Sequence, residues 1–308
     1  MGLPFRIVLY AADNLEAEAA AHAAFARIAE LNDILSDYDT DSELSRLSRT
    51  AGEGRAVPVS NDLWLLLRRS QDLAERTGGA FDVTVGPCVS LWRKARREKK
   101  FPRPDLLAAA RAASGWQKLR LNPRTRSAQL LVPEMKLDLG AIAKGYAVDE
   151  VLKLLQGRGI TRALVAGGGD MAAGYPPPGK RGWRIELAAL DVTNAPPPQF
   201  VLLTRSALAT SGDLFQHVEI EGLRYSHIID PRTGLGLTDH SLVTVIARDC
   251  MTADSLATAV SVLGPERGLK LIDDTAGTSA RMVRKPGLQV EIRKSTAFEK
   301  QLERPAKQ

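Results

Sequence analysis

The hydrophobic positions in the first part of the chain recur with two different periods. Residues 5–10 alternate apolar and polar side chains, which predicts a strand, and the alanine-rich amphipathic segment 14–38 predicts a long helix. A second long helix is predicted to begin at Ser60 or Asn61 and to end at the Gly78–Gly79 pair, because hydroxyl and amide side chains cap helix starts and glycine ends helices. The chain therefore opens with a strand followed by helices.

From residue 116 onward the pattern changes to short strands with helices between them. Two strands joined by a turn at Asn122–Pro123 are predicted over residues 116–139, and a helix is predicted over 141–159. Hairpin-like strand pairs mixed with helices, without regular β-α-β alternation, predict an α+β fold with mixed antiparallel sheets. We expect one domain with two lobes over residues 1–295, and a polar, frayed C-terminal tail over 296–308.

The composition limits the classes of protein and of site. The chain has 308 residues, of which 44% are hydrophobic and 25% charged, so intrinsic disorder and collagen-like repeats are excluded. Its two cysteines, Cys88 and Cys250, are too few for a disulfide scaffold or a cysteine-rich zinc site. With four histidines, a site built from several histidine ligands is not expected. The composition favours oxygen ligands to a hard cation.

Positive charge is the second constraint. The net charge is +6, and residues 93–100 hold six Lys or Arg side chains. Nucleic acid is not an expected partner, because this run lacks interleaved aromatic residues and a recognised motif. We interpret the run as a solvated helix end, and the overall charge as favourable to a phosphate-bearing ligand. No stretch reaches the roughly 18 apolar residues that span a membrane, and no signal or anchor is recognised in the chain as given.

The segment 138–150 is the first with candidate chemistry. A strand is predicted to end at Asp138, Gly140 permits a tight turn, and a helix is predicted to start near Ala141. The N–H groups at such a helix start favour anions, including phosphates. Lys144 lies one turn into the helix, where it could reach a phosphate or a carboxylate. A solvated lysine is the alternative.

Two further segments carry Gly, Asp and Thr at informative spacings. The three glycines before Asp170 allow either close approach of a flat ligand or a tight turn, and their spacing matches neither a dinucleotide fingerprint nor a P-loop. Asp254 and Thr258 lie four residues apart on a helix predicted over 251–264, so both could ligate Mg²⁺. The alternative is an aspartate favoured by the helix dipole and a buried threonine bonded to a carbonyl.

His227 precedes the turn that begins at Asp230-Pro231. A structural imidazole is the ordinary interpretation, because apolar residues follow it directly. It is also the most plausible neutral-pH base near these segments, since its unperturbed pKa lies close to neutrality.

Seven segments in one order resemble the FAD:protein FMN transferase family, the ApbE-like flavin transferases. They are MGLPFRIVLYA, LSDYDTDSELSRL, GGAFDVTVGPCVSLW, LDLGAIAKGYAVD, AGGGDMAAG, ATSGDLFQHVEIEGLRYSHIIDPRTG and VTVIARDCMTADSLATAVSVLG. The resemblance runs from Met1 to about Gly264, and seven segments in order are highly specific. It implies a T-fold-like flavin transferase domain, with FAD held between its two lobes.

The resemblance also implies a set of site residues. The residues that would contact FAD are Met1, Tyr38, Gly79, Ala80, Phe81, Asp82, Asp138, Lys144 and Ile228. The groups that would hold Mg²⁺ are the backbone carbonyl of Ala141 and the side chains of Asp254 and Thr258. Met1 and Tyr38 would flank the flavin or the adenine. His227 is the candidate catalytic base.

The implied reaction transfers the FMN half of FAD to a Ser or Thr hydroxyl of an acceptor protein and releases AMP. One alternative is an Mg²⁺-dependent FAD pyrophosphatase that gives FMN and AMP, with water in place of the hydroxyl. The other is a non-catalytic flavin-binding protein, against which the metal ligands count. The family resemblance favours a periplasmic or membrane-associated location, while a cytoplasmic one and the oligomeric state stay open.

Overall fold

The structure, a computed structural model, describes residues 3–190, 197–213, 216–287 and 289–303. These residues divide into two compact units. The first unit comprises residues 30–143 and 216–240. The second unit comprises residues 3–29, 144–213 and 241–303.

Helices and short antiparallel sheets together make up both units, so the predicted α+β class is confirmed. The helices are α1 (Asn14–Leu35), α2 (Glu43–Ser48), α3 (Asn61–Thr77), α4 (Gly86–Glu98), α5 (Pro104–Ala112), α6 (Ala143–Gly157) and α7 (Cys250–Asp273). The strands are β1 (Phe5–Leu9), β2 (Val57–Pro58), β3 (Leu119–Asn122), β4 (Ser127–Leu130), β5 (Ala163–Gly167), β6 (Asp170–Ala173), β7 (Trp183–Glu186), β8 (Phe200–Leu203), β9 (Ser206–Gly212), β10 (His217–Ile220), β11 (Leu223–Ser226), β12 (Ile229–Asp230), β13 (Leu235–Gly236), β14 (Ser241–Ala247), β15 (Ser279–Arg284) and β16 (Glu291–Lys294).

The first unit is built around a buried tryptophan on α4. The Trp92 indole donates to the Gly234 carbonyl at 2.8 Å, and its ring lies 4.9 Å from that of Tyr225 and 5.6 Å from that of Phe101. The predicted α3 has Ser60 as its cap, whose hydroxyl accepts from the Leu63 N–H at 3.3 Å. The sheet order β2-β4-β3 and the hairpins β10-β11 and β12-β13 complete the unit.

The second unit contains an antiparallel sheet of seven described strands in the order β1-β5-β6-β9-β14-β15-β16. One face packs against α1, α6 and α7, because small and branched side chains from these helices share a core with the sheet, including Ala20, Val148, Val151 and Cys250. The opposite face packs against the β7-β8 hairpin. This arrangement lays α6 and α7 side by side over one sheet face.

Two predictions about local structure are wrong, and one helix start is shifted by two residues. Residues 135–139 do not form a strand, because they pair only through one bridge, Val85 with Lys136, and the partner segment turns into α4 at Gly86. Helix α6 begins at Ala143 and not at Ala141, since the intervening residues form a turn. The described part of the C-terminal tail is not frayed, because Phe298 is fully buried in the second unit.

No helix among the described residues combines the length and the apolar character needed to cross a membrane.

Replacing the tryptophan at the centre of the first unit tests this packing. We expect Trp92→Ala to lower the free energy of unfolding by about 3–5 kcal/mol, because the change leaves a large cavity and an unsatisfied carbonyl. Leu106→Ala on α5, where the leucine is 41% exposed, is the control and is expected to cost within about 0.5 kcal/mol. Equal losses in denaturant unfolding would contradict the assignment of Trp92 to the core.

Candidate active site

The second unit holds an ammonium group between two buried carboxylates. Lys144 Nζ lies 2.7 Å from Asp170 Oδ2 and 2.7 Å from Asp254 Oδ1. The two aspartates are 1% and 3% exposed, respectively, and the Lys144 side chain is 23% exposed. Buried charges need partners, so these three side chains fix one another. The solvated-lysine alternative for Lys144 is therefore wrong.

Asp170 reaches this cluster through the turn that joins β5 to β6. Gly168 and Gly169 have φ values of 61° and 99°, which allow a two-residue hairpin turn between Gly167 and Asp170. The tight-turn interpretation of the triple glycine is thereby confirmed. Asp170 is the first residue after the turn, and its Oδ1 also accepts from the Thr210 N–H at 3.3 Å. The hairpin thus carries a carboxylate to Lys144.

Asp254 and Thr258 lie on α7, and Asp254 is not the side chain that caps this helix. Asp249 is the side chain that caps α7, since its carboxylate accepts from the Thr252 N–H at 2.8 Å, whereas Asp254 binds Lys144 and the Gly145 N–H. The Thr258 hydroxyl lies 3.4 Å from the Ser211 hydroxyl. The helix places both oxygens on one face, as the spacing predicted.

Burial and charge act in opposite directions on the ionisation of this cluster. Burial alone would lower the pKa of Lys144, but the carboxylates of Asp254 and Asp170 outweigh it and raise that pKa above its usual value. Burial, reinforced by the Asp254 carboxylate, raises the pKa of Asp170, while Lys144 opposes the rise. Lys144 is therefore a permanent cation. When both acids are ionised, the three groups leave one net negative charge.

The donor set suits a hard divalent cation. Two carboxylates and the Thr258 and Ser211 hydroxyls supply oxygen atoms, and the Lys144 ammonium already marks a place where positive charge is stabilised. Among the described residues no group of three or more His, Cys, Asp and Glu side chains is arranged to hold a metal. A cation bound by Asp254 and Thr258 would therefore keep several waters, which is the usual behaviour of Mg²⁺.

The first unit contains a second arrangement of one cation between two acids. The Arg93 guanidinium binds Asp37 and lies 3.0 Å from Asp138 Oδ2, and it stacks over the Tyr38 ring at 4.1 Å from the centroid. Asp138 Oδ1 accepts from the Gly140 N–H at 2.8 Å. Tyr38 is 71% exposed, so one ring face is available to a ligand. Arg93 thus joins two of the residues that the resemblance assigns to FAD.

The segment from Gly79 to Asp82 lies directly before residues that bond to the backbone around Asp138. Ala80 and Phe81 are buried, and Val83 accepts from the Asp138 N–H at 2.8 Å. Burial raises the pKa of Asp82, although two hydrogen bonds from Thr84 oppose the rise. The segment and Asp138 are therefore held together within the first unit.

His227 lies at the start of the segment that leads from β11 into β12. Its Nδ1 lies 3.1 Å from the Gln216 carbonyl, which can only accept, so Nδ1 carries the proton in the neutral ring. The lone pair then resides on Nε2. Ile228 is 8% exposed, and its N–H donates to the Ser226 hydroxyl.

Two further residues of the predicted site lie elsewhere in the chain. Ala141 lies in the turn directly before α6, while Met1 lies outside the described residues.

Sequence reasoning missed two residues that the structure connects to this chemistry. The sequence pattern predicts a solvated run around Arg93, yet this residue is half-buried and contacts Asp37 and Asp138. No sequence pattern singles out Asp149, although its carboxylate accepts from the Cys250 and Met251 N–H groups at 2.8 Å each. The apolar positions of α4 could have singled out Arg93, since it adjoins Trp92 on the buried side of the helix. No local signal identifies the partner of Asp149.

Removing the central cation of the second unit tests the cluster. We expect Lys144→Ala to lower the free energy of unfolding by about 3–5 kcal/mol at pH 8, because two buried carboxylates lose their partner. The loss should shrink at pH 5, since Asp170, whose pKa burial raises, then takes up a proton and sheds its buried charge. Lys153→Ala, on the same helix with a side chain 79% exposed, is the control and is expected to change little. A pH-independent loss would contradict the pairing.

Comparison with known proteins gives a consistent family. A model of the ApbE family matches residues 1–282. The FAD:protein FMN transferase of Vibrio cholerae is 38% identical over 254 residues, which are 79% of this chain and 73% of that protein. The protein of the same name from Klebsiella pneumoniae is 33% identical over 294 residues, which are 93% of this chain and 83% of that protein.

Solved structures agree with this family. The flavin transferase ApbE from Vibrio cholerae has a TM-score of 0.88 at 32% identity, with 97% of this chain and 96% of that chain covered. The Pseudomonas stutzeri flavinyl transferase ApbE in its apo form has a TM-score of 0.83 at 29% identity, with the same two coverages. The family that the seven segments predicted is therefore confirmed, and the chain is a transferase of the ApbE family.

Proposed function

We propose that the protein transfers the FMN half of FAD to a Ser or Thr hydroxyl of an acceptor protein and releases AMP, with Mg²⁺ as the metal. In this reaction the hydroxyl oxygen bonds to the phosphorus on the riboflavin side of the pyrophosphate. The bond from that phosphorus to the bridging oxygen breaks, and AMP departs with its electron pair. The hydroxyl proton passes to a base on the protein.

The observation that carries the proposal is the buried Lys144, Asp170 and Asp254 cluster. Storing a flavin needs no metal-binding acid, whereas cleavage of the FAD pyrophosphate can use one beside a fixed cation. FAD carries negative charge on that pyrophosphate, so a fixed cation and a metal-binding acid can act on the same group. Membership of the ApbE family supports the choice of flavin.

Each residue of the cluster has a distinct proposed role. Asp254 and Thr258 supply oxygen ligands to Mg²⁺, and the Ala141 carbonyl is the third proposed ligand. The bound metal would neutralise charge on the pyrophosphate. Lys144 provides a cation that stays protonated throughout, because its pKa is raised by its two carboxylate partners. Asp170 holds Lys144 and fixes the direction of its ammonium group.

His227 is the proposed base. Because its Nδ1 is committed to the Gln216 carbonyl, the neutral ring offers Nε2 to the hydroxyl proton. In the same proposal Tyr38 stacks on an aromatic ring of FAD, while Asp138 and Ile228 contact the cofactor. The remaining FAD contacts are assigned to Met1 and to the segment Gly79, Ala80, Phe81 and Asp82. A periplasmic location stays a prediction of the resemblance.

One reaction tests the proposed function. The protein is incubated with FAD, Mg²⁺ and a flavin-acceptor domain, and covalent flavin is followed by in-gel fluorescence while free AMP is measured by chromatography. Covalent flavin and AMP in equal amounts support the transferase. AMP with free FMN alone would assign an FAD pyrophosphatase, and neither product would assign a flavin-binding protein. An acceptor whose target Ser or Thr is changed to Ala is the control.

The metal assignment makes a separate prediction. We expect Asp254→Ala to reduce Mg²⁺-dependent transfer by about a hundredfold or more, because a metal contribution of several kcal/mol to the transition state is lost. Asp274→Ala removes an exposed carboxylate at the end of the same helix and is expected to leave the rate unchanged. Transfer by the Asp254 variant at the normal rate in Mg²⁺ would refute the metal assignment.

Arg93 gives a prediction for FAD binding. We expect Arg93→Gln to raise the KM for FAD about tenfold, because the loss of a charge-assisted contact releases Asp138 and the Tyr38 ring. Arg97→Gln on the same helix removes an exposed guanidinium with the same charge change and serves as the control. Steady-state kinetics and FAD fluorescence titration measure the effect. An equal rise in the KM for FAD in both variants would mean that Arg93 contributes only through the net charge of the protein.

A further inference from the structure

Helix α7 begins against a carboxylate that comes from another helix. Asp149 on α6 accepts from the Cys250 N–H through Oδ1 and from the Met251 N–H through Oδ2, both at 2.8 Å. The ordinary cap of α7 is already present, since the Asp249 side chain accepts from the Thr252 N–H. The Asp249 side chain satisfies only one free N–H group at the start of α7, and Asp149 satisfies two more. Because Asp149 belongs to α6, these bonds also tie α6 to the start of α7.

The same two helices touch again one turn away. Gly145 on α6 lies so close to α7 that a Cβ added there would lie 2.3 Å from the Cys250 carbonyl oxygen. The Gly145 N–H donates to Asp254 Oδ2 at 3.1 Å. Gly145 and Asp149 are four residues apart and share a face of α6. The two helices are therefore joined at two points on facing surfaces.

This double attachment sets the position of Lys144 relative to Asp254. Lys144 adjoins Gly145 in the chain, and its ammonium makes 2.7 Å contacts with Asp254 and Asp170. Asp149 accepts from the N–H groups of Cys250 and Met251. Asp254 lies about one helical turn after these residues on α7. Rotation or sliding of α7 against α6 would change these contacts directly. Displacements of about 1 Å in a catalytic arrangement cost on the order of a hundredfold in rate.

The surroundings of Asp149 act on its ionisation in opposite directions. Burial raises the pKa of Asp149 to about 7, and the carboxylates of Asp249 and Glu150 add to the rise, although the two N–H donors oppose it. A raised pKa means that Asp149 favours folding at low pH and loses that contribution as the pH rises through about 7. Burial thus disfavours the ionised carboxylate, and the two N–H donors of α7 are the groups that stabilise it.

We propose that Asp149 is a positioning residue for the transfer reaction: it holds α7 against α6 so that Asp254 and Lys144 present a fixed pair of opposite charges to the metal and the pyrophosphate. The inference rests on the proposed function, and it assigns Asp149 no contact with substrate. Asp149 would affect metal affinity without touching the metal, because it positions the helix that carries the ligands.

The test compares three variants on α6. Asp149→Asn keeps one acceptor oxygen, Asp149→Ala keeps none, and Val151→Ala truncates a fully buried core residue of the same helix. We expect the Mg²⁺ concentration for half-maximal transfer to rise in the order wild type, Asn, Ala, reaching about tenfold to a hundredfold. The Val151 control loses stability through a cavity but keeps both attachments, so its half-maximal concentration should stay within about twofold of wild type.

A second measurement needs no metal, substrate or activity. Amide hydrogen exchange of Gly145, Cys250 and Met251 in the metal-free protein should be at least about tenfold faster in the Asp149 variants than in the Val151 variant. Gly145 is the decisive amide, because its N–H donates to Asp254 on α7 and not to Asp149, and the Val151 variant shows how much exchange a general loss of stability causes. Because the Val151 variant also loses stability, the comparison between the Asp149 and Val151 variants stays valid when both fold less stably than the wild type.

The outcomes separate the two proposals. If the wild-type protein transfers no flavin, the proposed function is wrong, and the exchange rate of Gly145 still decides whether Asp149 holds the helices together. If the wild-type protein is active but all three variants share one Mg²⁺ dependence, Asp149 is not a positioning residue. Unchanged exchange at Gly145 in Asp149→Ala would overturn the inference as well.

Discussion

The pairing of Lys144 with Asp170 and Asp254 is the constraint on which the second unit depends. Two carboxylates that are almost wholly buried cannot stay ionised without a cation beside them, and the ammonium group satisfies both at 2.7 Å. Each of the three side chains comes from a different element, namely α6, the β5-β6 hairpin and α7. The cluster therefore requires these elements to be assembled before it can exist.

Close approach of α6 and α7 makes that assembly possible. Gly145 leaves no room for a side chain against the Cys250 carbonyl, and its N–H reaches Asp254 directly. Helices packed through ordinary side chains stand farther apart, at axial distances of about 8–10 Å, and would need longer side chains to bridge them. A short aspartate and a lysine can meet here because the backbones themselves are in contact.

The first unit also contains one cation between two acids, with an arginine in place of the lysine. Arg93 lies between Asp37 and Asp138, and its planar guanidinium also stacks on Tyr38. A guanidinium can serve two acids and an aromatic ring together because its donors lie in a plane whose faces remain open. The result is a pair of acids held by one cation, with an exposed aromatic ring held in place beside them. Both units thus place acids of the recognised segments around one cation.

The sequence by itself determined the local features of this protein. It located the caps of α3, the turn before Asp170 and the shared face of Asp254 and Thr258, because each depends on residues at most a few positions apart. It also identified the family through the order of its motifs. Local patterns failed where pairing was long-range: residues 135–139 looked like a strand but found only a single bridge.

Only the tertiary structure decided which charges meet. Asp254 lies 110 positions from Lys144 in the chain, and Cys250 lies 101 positions from Asp149. Arg93 belongs to a basic run in the sequence, and only the packing of α4 shows that its partners are Asp37 and Asp138. Helix and turn preferences are set by near neighbours, whereas the partner of a buried charge is set by whichever distant element the hydrophobic core brings beside it.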